Sequence, residues 1–218
     1  METNSPHISN GDIGIKRYLV NYIRSSQDFA VLYPSEHVFK KYVELSHQIF
    51  HLQQIAKNEN HSYSTKRIRR LFLKRKRKVI NYMNNVIAKI FRIFQANHVS
   101  KLIVVELPHI RAASLPGYFK NKEKLNTIIH NFWSFHLLLC KLQNKCEELG
   151  LEFEQIKERG TSSTFPVCGT KVKPSNRTFR SSSCGYTQDR DVVGCIMILK
   201  KYTEAHHLTL RVENHPIA

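Results

Sequence analysis

The 218-residue chain has little negative charge: 17 Asp and Glu stand against 34 Lys and Arg, a formal net charge of +17. An excess of that size calls for an anionic partner, and a polyanion offsets it best. Long apolar runs are missing as well. Runs such as Phe135 to Cys140, broken even there by His136, fall far short of the ~20 residues a spanning helix needs, so the expected polyanion is nucleic acid and no membrane partner is expected. Cysteine is sparse. Cys140, Cys146, Cys168, Cys184 and Cys195 form an odd, irregularly spaced set, which argues against a disulfide framework and for reduced thiols or a metal site. The N-terminus, Met-Glu-Thr-Asn-Ser-Pro, has neither the cationic start of a secretory signal nor the Arg-rich character of a transit peptide, so the cytoplasm is the expected compartment. There is no internal repeat. The length suits one main core with at most a small appendage.

After a polar leader at 1–11, the stretch from Gly11 through Ile15, Tyr18, Val20, Tyr22 and Ile23 is rich in β-branched and aromatic residues and is expected to open the fold as a first strand carrying Asp12. A second strand is expected at 29–33, ended by Pro34. Apolar residues then recur at helical spacing between Glu36 and Ala56, and again from Lys66 to Asn97, where Ile68, Phe72, Val79, Met83, Val86, Ile90 and Ile93 mark one long amphipathic helix. The run Lys101-Leu-Ile-Val-Val-Glu-Leu107 has no periodicity, as suits a strand buried on both faces of a parallel or mixed sheet. A further helix is expected over 123–149, with Cys140 and Cys146 as packing residues and Gly150 as its stop, followed by a strand at 151–157. The alternation indicates an α/β domain.

Three features bear on chemistry. Lys66, Arg67, Arg69, Arg70, Lys74, Arg75, Lys76, Arg77 and Lys78 put nine cations on the first half of the long helix with no acid among them. Such charges repel one another without a counter-ion, so a phosphate-tracking face is favoured over a merely solvated one. Second, Asp12 on the first strand, Glu106 at the end of a central strand and Asp191 opening the last helix are far apart in sequence but can converge at one end of a sheet. Three such carboxylates can hold two magnesium ions about 4 Å apart, the arrangement that hydrolyses phosphodiesters. Magnesium is a hard ion that prefers these oxygens to His or Cys. Singly, each acid has a plainer reading, as a turn residue, a strand-end surface acid and a helix-start residue.

Third, Cys168-Gly169 and Cys184-Gly185 flank a basic stretch holding Lys171, Lys173 and Arg177. A zinc knuckle is commonly built from two CxxC turns, each followed by glycine. Here Phe165 and Ser181 stand where the first cysteine of each turn would be. Two thiolates fall short of a structural zinc site, so zinc is doubtful. The alternatives are a metal-free loop or a rearranged set drawing on Cys195, His206 and His207.

In combination these segments resemble the transposon-encoded TnpB (OrfB) family, RNA-guided nucleases with a RuvC-like, ribonuclease-H-like domain that are related to the type V CRISPR effectors. The resemblance spans roughly Asp12 to Lys201. It rests on Asp12-Ile-Gly-Ile, the Arg-rich helix ahead of Leu-Ile-Val-Val-Glu106, Asn126 with Phe132-Trp-Ser-Phe135, Gly160-Thr-Ser-Ser-Thr, Cys168-Gly-Thr-Lys-Val-Lys-Pro-Ser-Asn-Arg-Thr-Phe-Arg, and Cys184-Gly-Tyr with Asp189-Arg-Asp191. It implies an RNase H-like core over 12–160 with a mixed sheet and flanking helices, a zinc-ribbon-like nucleic-acid-binding insert at 161–188, a final core helix at 189–202 and a polar tail at 203–218. It also implies Asp12, Glu106 and Asp191 as catalytic, magnesium-binding acids, Cys168 and Cys184 as residual zinc ligands, and DNA and guide RNA as partners. The family's last helix usually reads Arg-Asp-x-Asn-[Ala/Gly]-Ala-x-Asn-Ile, and here Val193 and Met197 replace both asparagines. Its members also carry a recognition half ahead of the first Asp, whereas this chain begins eleven residues before Asp12. A shortened N-terminus and a separate polypeptide supplying that half are therefore expected. A catalytically inactive nucleic-acid-binding or repressor-like derivative, or a fragment of a decayed element, is the alternative.

Overall fold

The computed structural model describes residues 8–12, 17–24, 29–34, 36–60, 63–106, 135–157, 164–171 and 178–207, with β1 described by its backbone. Three strands come first: β1 (Ile8–Asp12), β2 (Arg17–Arg24) and β3 (Phe29–Pro34). Helices α1 (Glu36–Asn60) and α2 (Lys66–Ala96) follow, then β4 (Lys101–Glu106), α3 (Phe135–Leu149) and β5 (Glu152–Lys157). The chain then forms the short strands β6 (Thr178–Arg180) and β7 (Thr187–Asp189) and the last helix, α4 (Arg190–Ala205). The main sheet has the order β3-β2-β1-β4-β5, antiparallel through β3, β2 and β1 and parallel through β1, β4 and β5. It is a mixed sheet.

The first expected strand is in fact two. Tyr18, Val20, Tyr22 and Ile23 belong to β2, which folds back on β1 with Asp12 opposite Val20. β-propensity marks extended backbone and is blind to where the chain reverses. Of the helix expected at 123–149, residues 135–149 are described and 123–134 lie outside the described residues.

β4 is the axis of the core. Leu102 and Val104 face a cluster built from α1, α2 and α3, with Tyr42, Met83, Ile90, Phe94, Leu138 and Cys146, whereas Ile103 and Val105 face α4 through Val192, Cys195, Ile196 and Leu199. Each such side chain stabilises the fold by about 1.5–3 kcal/mol on burial, so β4 is held from both sides. Two left-handed residues end helices cleanly. His98 (φ 51°) follows α2, and Gly150 (φ 69°) follows α3, with the Leu151 N–H donating to the Cys146 carbonyl at 2.9 Å. At the start of β4, Lys101 Nζ lies 2.9 Å from Glu152 and Glu154 and donates to Tyr202 Oη at 2.8 Å, tying β4, β5 and α4 together. Tyr202 and Thr203 are buried, so α4 runs on into the segment whose polar composition suggests a tail. Among the described residues, no helix is long and apolar enough to cross a membrane.

Candidate functional site

Asp12 closes β1 and Glu106 closes β4. These strands are neighbours in parallel register, Ile8 opposite Lys101 through Gly11 opposite Val104, so both acids stand at the C-terminal edge of the sheet. Asp191 lies in the first turn of α4, which packs on β1 and β2. The cap of α4 is Asp189, whose Oδ1 accepts from the Asp191 N–H at 2.9 Å, while Gln188 Oε1 accepts from the Asp189 N–H at 2.9 Å. Sequence reasoning overlooked both residues, although an acid two positions ahead of a helical acid is a usable cap signal. Among the described side chains, no three of His, Cys, Asp or Glu are grouped closely enough to hold a metal ion, and the Asp12 side chain is not one of those described.

On α2, Lys66, Arg67, Arg69, Arg70, Lys74, Lys76, Arg77 and Lys78 are exposed, and among the described residues none of these eight has an acidic partner. Arg75 differs from the other eight. Its Nη1 donates to Ser46 Oγ on α1 at 2.8 Å, and its guanidinium lies 4.8 Å from the Tyr42 ring and 4.9 Å from the Phe72 ring. It therefore fastens α2 to α1, and the cationic face consists of the remaining side chains. Leu73, 53% exposed, sits in the middle of that face, with Arg69, Arg70, Lys76 and Arg77 three and four residues away on either side. In the insert Lys171 is exposed, and Lys173 and Arg177 lie outside the described residues.

The two Cys-Gly turns have matching backbones. The Gly169 N–H donates to the Phe165 carbonyl (2.9 Å) and the Gly185 N–H to the Ser181 carbonyl (3.1 Å). The Phe165 N–H donates to Thr170 O (3.0 Å) and the Ser181 N–H to Tyr186 O (2.8 Å). Both glycines take left-handed conformations, φ 70° and 71°, which explains their place after each cysteine. Cys168 and Cys184 are exposed, while Phe165 (1%) and Ser181 (2%) are buried. Ser181 Oγ accepts from the Ser183 and Cys184 N–H groups at 3.3 Å each and lies 3.4 Å from Cys168 Sγ. The hydroxyls of Ser181, then Ser183 and Thr170, gather at the Cys168 sulfur and lower its pKa to about 5. The other residues considered as zinc ligands lie elsewhere: Cys195 is buried between α4 and the sheet, and His206 stacks on Tyr202 with ring centroids 4.1 Å apart.

The OrfB family profile, described as a probable transposase, matches residues 11–111, and the Cas12f1-like TNB domain profile matches residues 135–198. In chain order the two span most of the sequence. Together the two matches support a TnpB (OrfB)-family protein. The OrfB match takes in Asp12, the cationic half of α2 and Glu106, and the TNB match takes in both turns and Asp191. No curated protein matches the chain. Among solved structures, a Cas12f1–sgRNA–target DNA complex aligns with TM-score 0.65 and 18% identity, covering 91% of this chain and 51% of that one. A CRISPR-Cas12f ternary complex aligns with TM-score 0.70 and 18% identity (89% and 38%), and the mini-RNA-guided endonuclease CRISPR-Cas phi3 with TM-score 0.58 and 10% identity (89% and 45%). These likenesses show that the TnpB-family chain has a Cas12f-like mixed α/β fold. It spans about half or less of the length of these structures.

Proposed function

We propose that this TnpB-family chain is the nuclease portion of an RNA-guided DNA endonuclease. Its RNase H-like, RuvC-like core would hydrolyse phosphodiester bonds with magnesium held by Asp12, Glu106 and Asp191. The observation that carries this reading is the placement of two acids as the closing residues of adjacent parallel strands, with the third in the first turn of a helix packed on one of those strands. The donor set suits the ion, since all three residues offer hard carboxylate oxygens. Bound magnesium supplies a water of lowered pKa and neutralises charge at the scissile phosphate.

The chain's own residues position the ion and the substrate. Neighbouring strand ends fix the backbones of Asp12 and Glu106, and the Asp189 cap fixes that of Asp191. The eight exposed cations of α2, with Lys171, Lys173 and Arg177 of the insert, balance phosphates of the bound strands. Relatives solved with sgRNA and target DNA support the same classes of partner here; a polypeptide supplying the recognition half belongs to the proposal itself. The test is cleavage of DNA by the purified chain with guide RNA and the adjoining polypeptide in magnesium or manganese. Asp12→Ala, Glu106→Ala and Asp191→Ala should each reduce cleavage by at least about a hundredfold while leaving binding in place. DNA left intact under every combination of guide, partner and metal would sink the nuclease reading.

A further inference from the structure

We infer that the insert is a metal-free knuckle, in which a Ser181 hydroxyl staple and an apolar lock of Phe165, Tyr186, Val193 and Met197 stand in for a four-thiolate zinc centre. The family resemblance implies zinc here, and the residues do not fit it. A structural zinc needs four ligands, and the turns offer two exposed thiols. At the position of one missing ligand, Ser181 Oγ already accepts two turn N–H groups and abuts Cys168 Sγ, so it closes its own turn without an ion. At the other, Phe165 is buried and offers no ligand atom. It packs with Tyr186, Val193 and Met197, its ring centroid 6.4 Å from that of Tyr186 at an interplanar angle of 80°.

The lock lies where it can position α4. Tyr186 immediately precedes β7, β7 runs directly into α4, and Asp189 and Asp191 lie between Tyr186 and Val193. Phe165 therefore joins the first knuckle turn to the first turns of α4. Three departures from the family pattern, Phe165 at a cysteine position and Val193 and Met197 at the asparagine positions one turn apart on α4, come from two separate segments and meet in this one cluster. Metal ligation and polar side chains have been exchanged together for apolar packing. Phe165 and Tyr186 are positioning residues in this scheme, and the readouts below are independent of whether Asp191 is catalytic.

The test uses the full chain purified from zinc-supplemented growth. Wild-type protein should hold far less than about one zinc per chain, whereas the Phe165→Cys/Ser181→Cys double variant should hold about one and show thiolate-to-cobalt charge-transfer absorbance on substitution. Separately, Phe165→Ala and Val193→Asn should each accelerate amide exchange over Asp191–Cys195 by about tenfold or more, less than additively when combined, with β4 unaffected. Stoichiometric zinc in the wild type, or a folded double variant that takes up none, overturns the metal-free knuckle. If the double variant does not fold, the exchange experiment decides, and unchanged protection in α4 overturns the lock.

Discussion

The cationic face of α2 allows a worked prediction of salt dependence. From Lys66 to Lys78 the helix covers about 18 Å at 1.5 Å per residue. Duplex DNA carries one charge per about 1.7 Å of axis, so roughly ten phosphates lie along that length and one helix face reaches about half of them. With about five phosphates neutralised, log affinity should fall with log salt at a slope near −4.5, a loss of roughly 500-fold between 50 and 200 mM. Lys74, Lys76 and Arg77 are exposed and without acidic partners among the described residues. Replacing all three with glutamine should bring the slope to about −1.8 and the loss over the same salt range to about twelvefold. Arg75→Gln is the internal control. Its guanidinium is engaged with Ser46, Tyr42 and Phe72, so the variant should lower stability by about 1–2 kcal/mol and leave the slope alone. Fluorescence anisotropy at several salt concentrations measures all three proteins. If the triple variant keeps the wild-type slope, or Arg75→Gln lowers it as much, the assignment of this face to phosphates is wrong.

Two further outcomes follow from single side chains. Alkylation of Cys168 by iodoacetamide, followed by mass spectrometry, should be half-maximal at about pH 5, because the hydroxyls of Ser181, Ser183 and Thr170 stabilise the thiolate. Ser181→Ala should move that midpoint up toward the ordinary thiol value, and an unmoved midpoint would contradict the cause given. Partial burial pulls the Lys101 amine down, but its hydrogen bonds to Tyr202, Glu154 and Glu152 outweigh this and leave its pKa raised. Its stabilising effect is therefore complete below the unfolded lysine value of about 10.4 and is lost as pH rises through the folded one. Lys101→Met should lower the melting temperature by about 2–8 °C at neutral pH, from about 1–2 kcal/mol at 2–4 °C each. In calorimetry the gap from wild type should narrow at strongly alkaline pH, and a gap that is constant with pH would count against the latch.

Strong periodicity, or its complete absence, was readable from the sequence. The run at 101–107 lacks any period because both faces of β4 are covered, and the long spacing of Ile68, Val79, Met83 and Ile90 matches residues that α2 buries. The β1–β2 reversal was hidden because the β-branched and aromatic residues that signal a strand lie in β2, whereas β1, Ile-Ser-Asn-Gly-Asp, carries little such signal of its own. Arg75 was misgrouped with eight surface cations, although it lies seven residues after Ile68 and four before Val79, on the buried stripe. A helical-wheel reading would have found it. Spacing alone could register that two cysteines were missing. It could not show how Phe165 and Ser181 hold the turns in their place, because Phe165 meets Val193 and Met197 only through the fold.

That contact bears on whether the altered insert is a relic. Replacing two metal ligands independently would leave turns with unpaired N–H groups, a buried polar gap and a loose α4. Here Ser181 takes up the N–H groups of its own turn, and Phe165 fills an apolar site whose two walls on α4, Val193 and Met197, have also changed from the family pattern. One cost remains: the buried Tyr186 hydroxyl has no hydrogen-bond partner among the described residues, which opposes the lock by about 1–3 kcal/mol. Ring packing and burial of Phe165, worth about 3–5 kcal/mol against alanine, exceed that cost. Tyr186→Phe removes the unpaired hydroxyl while keeping the ring, so it should tighten the insert on α4 and slow amide exchange there. A variant that loosens it instead would show that the hydroxyl has a partner and that the balance of the lock has been drawn incorrectly.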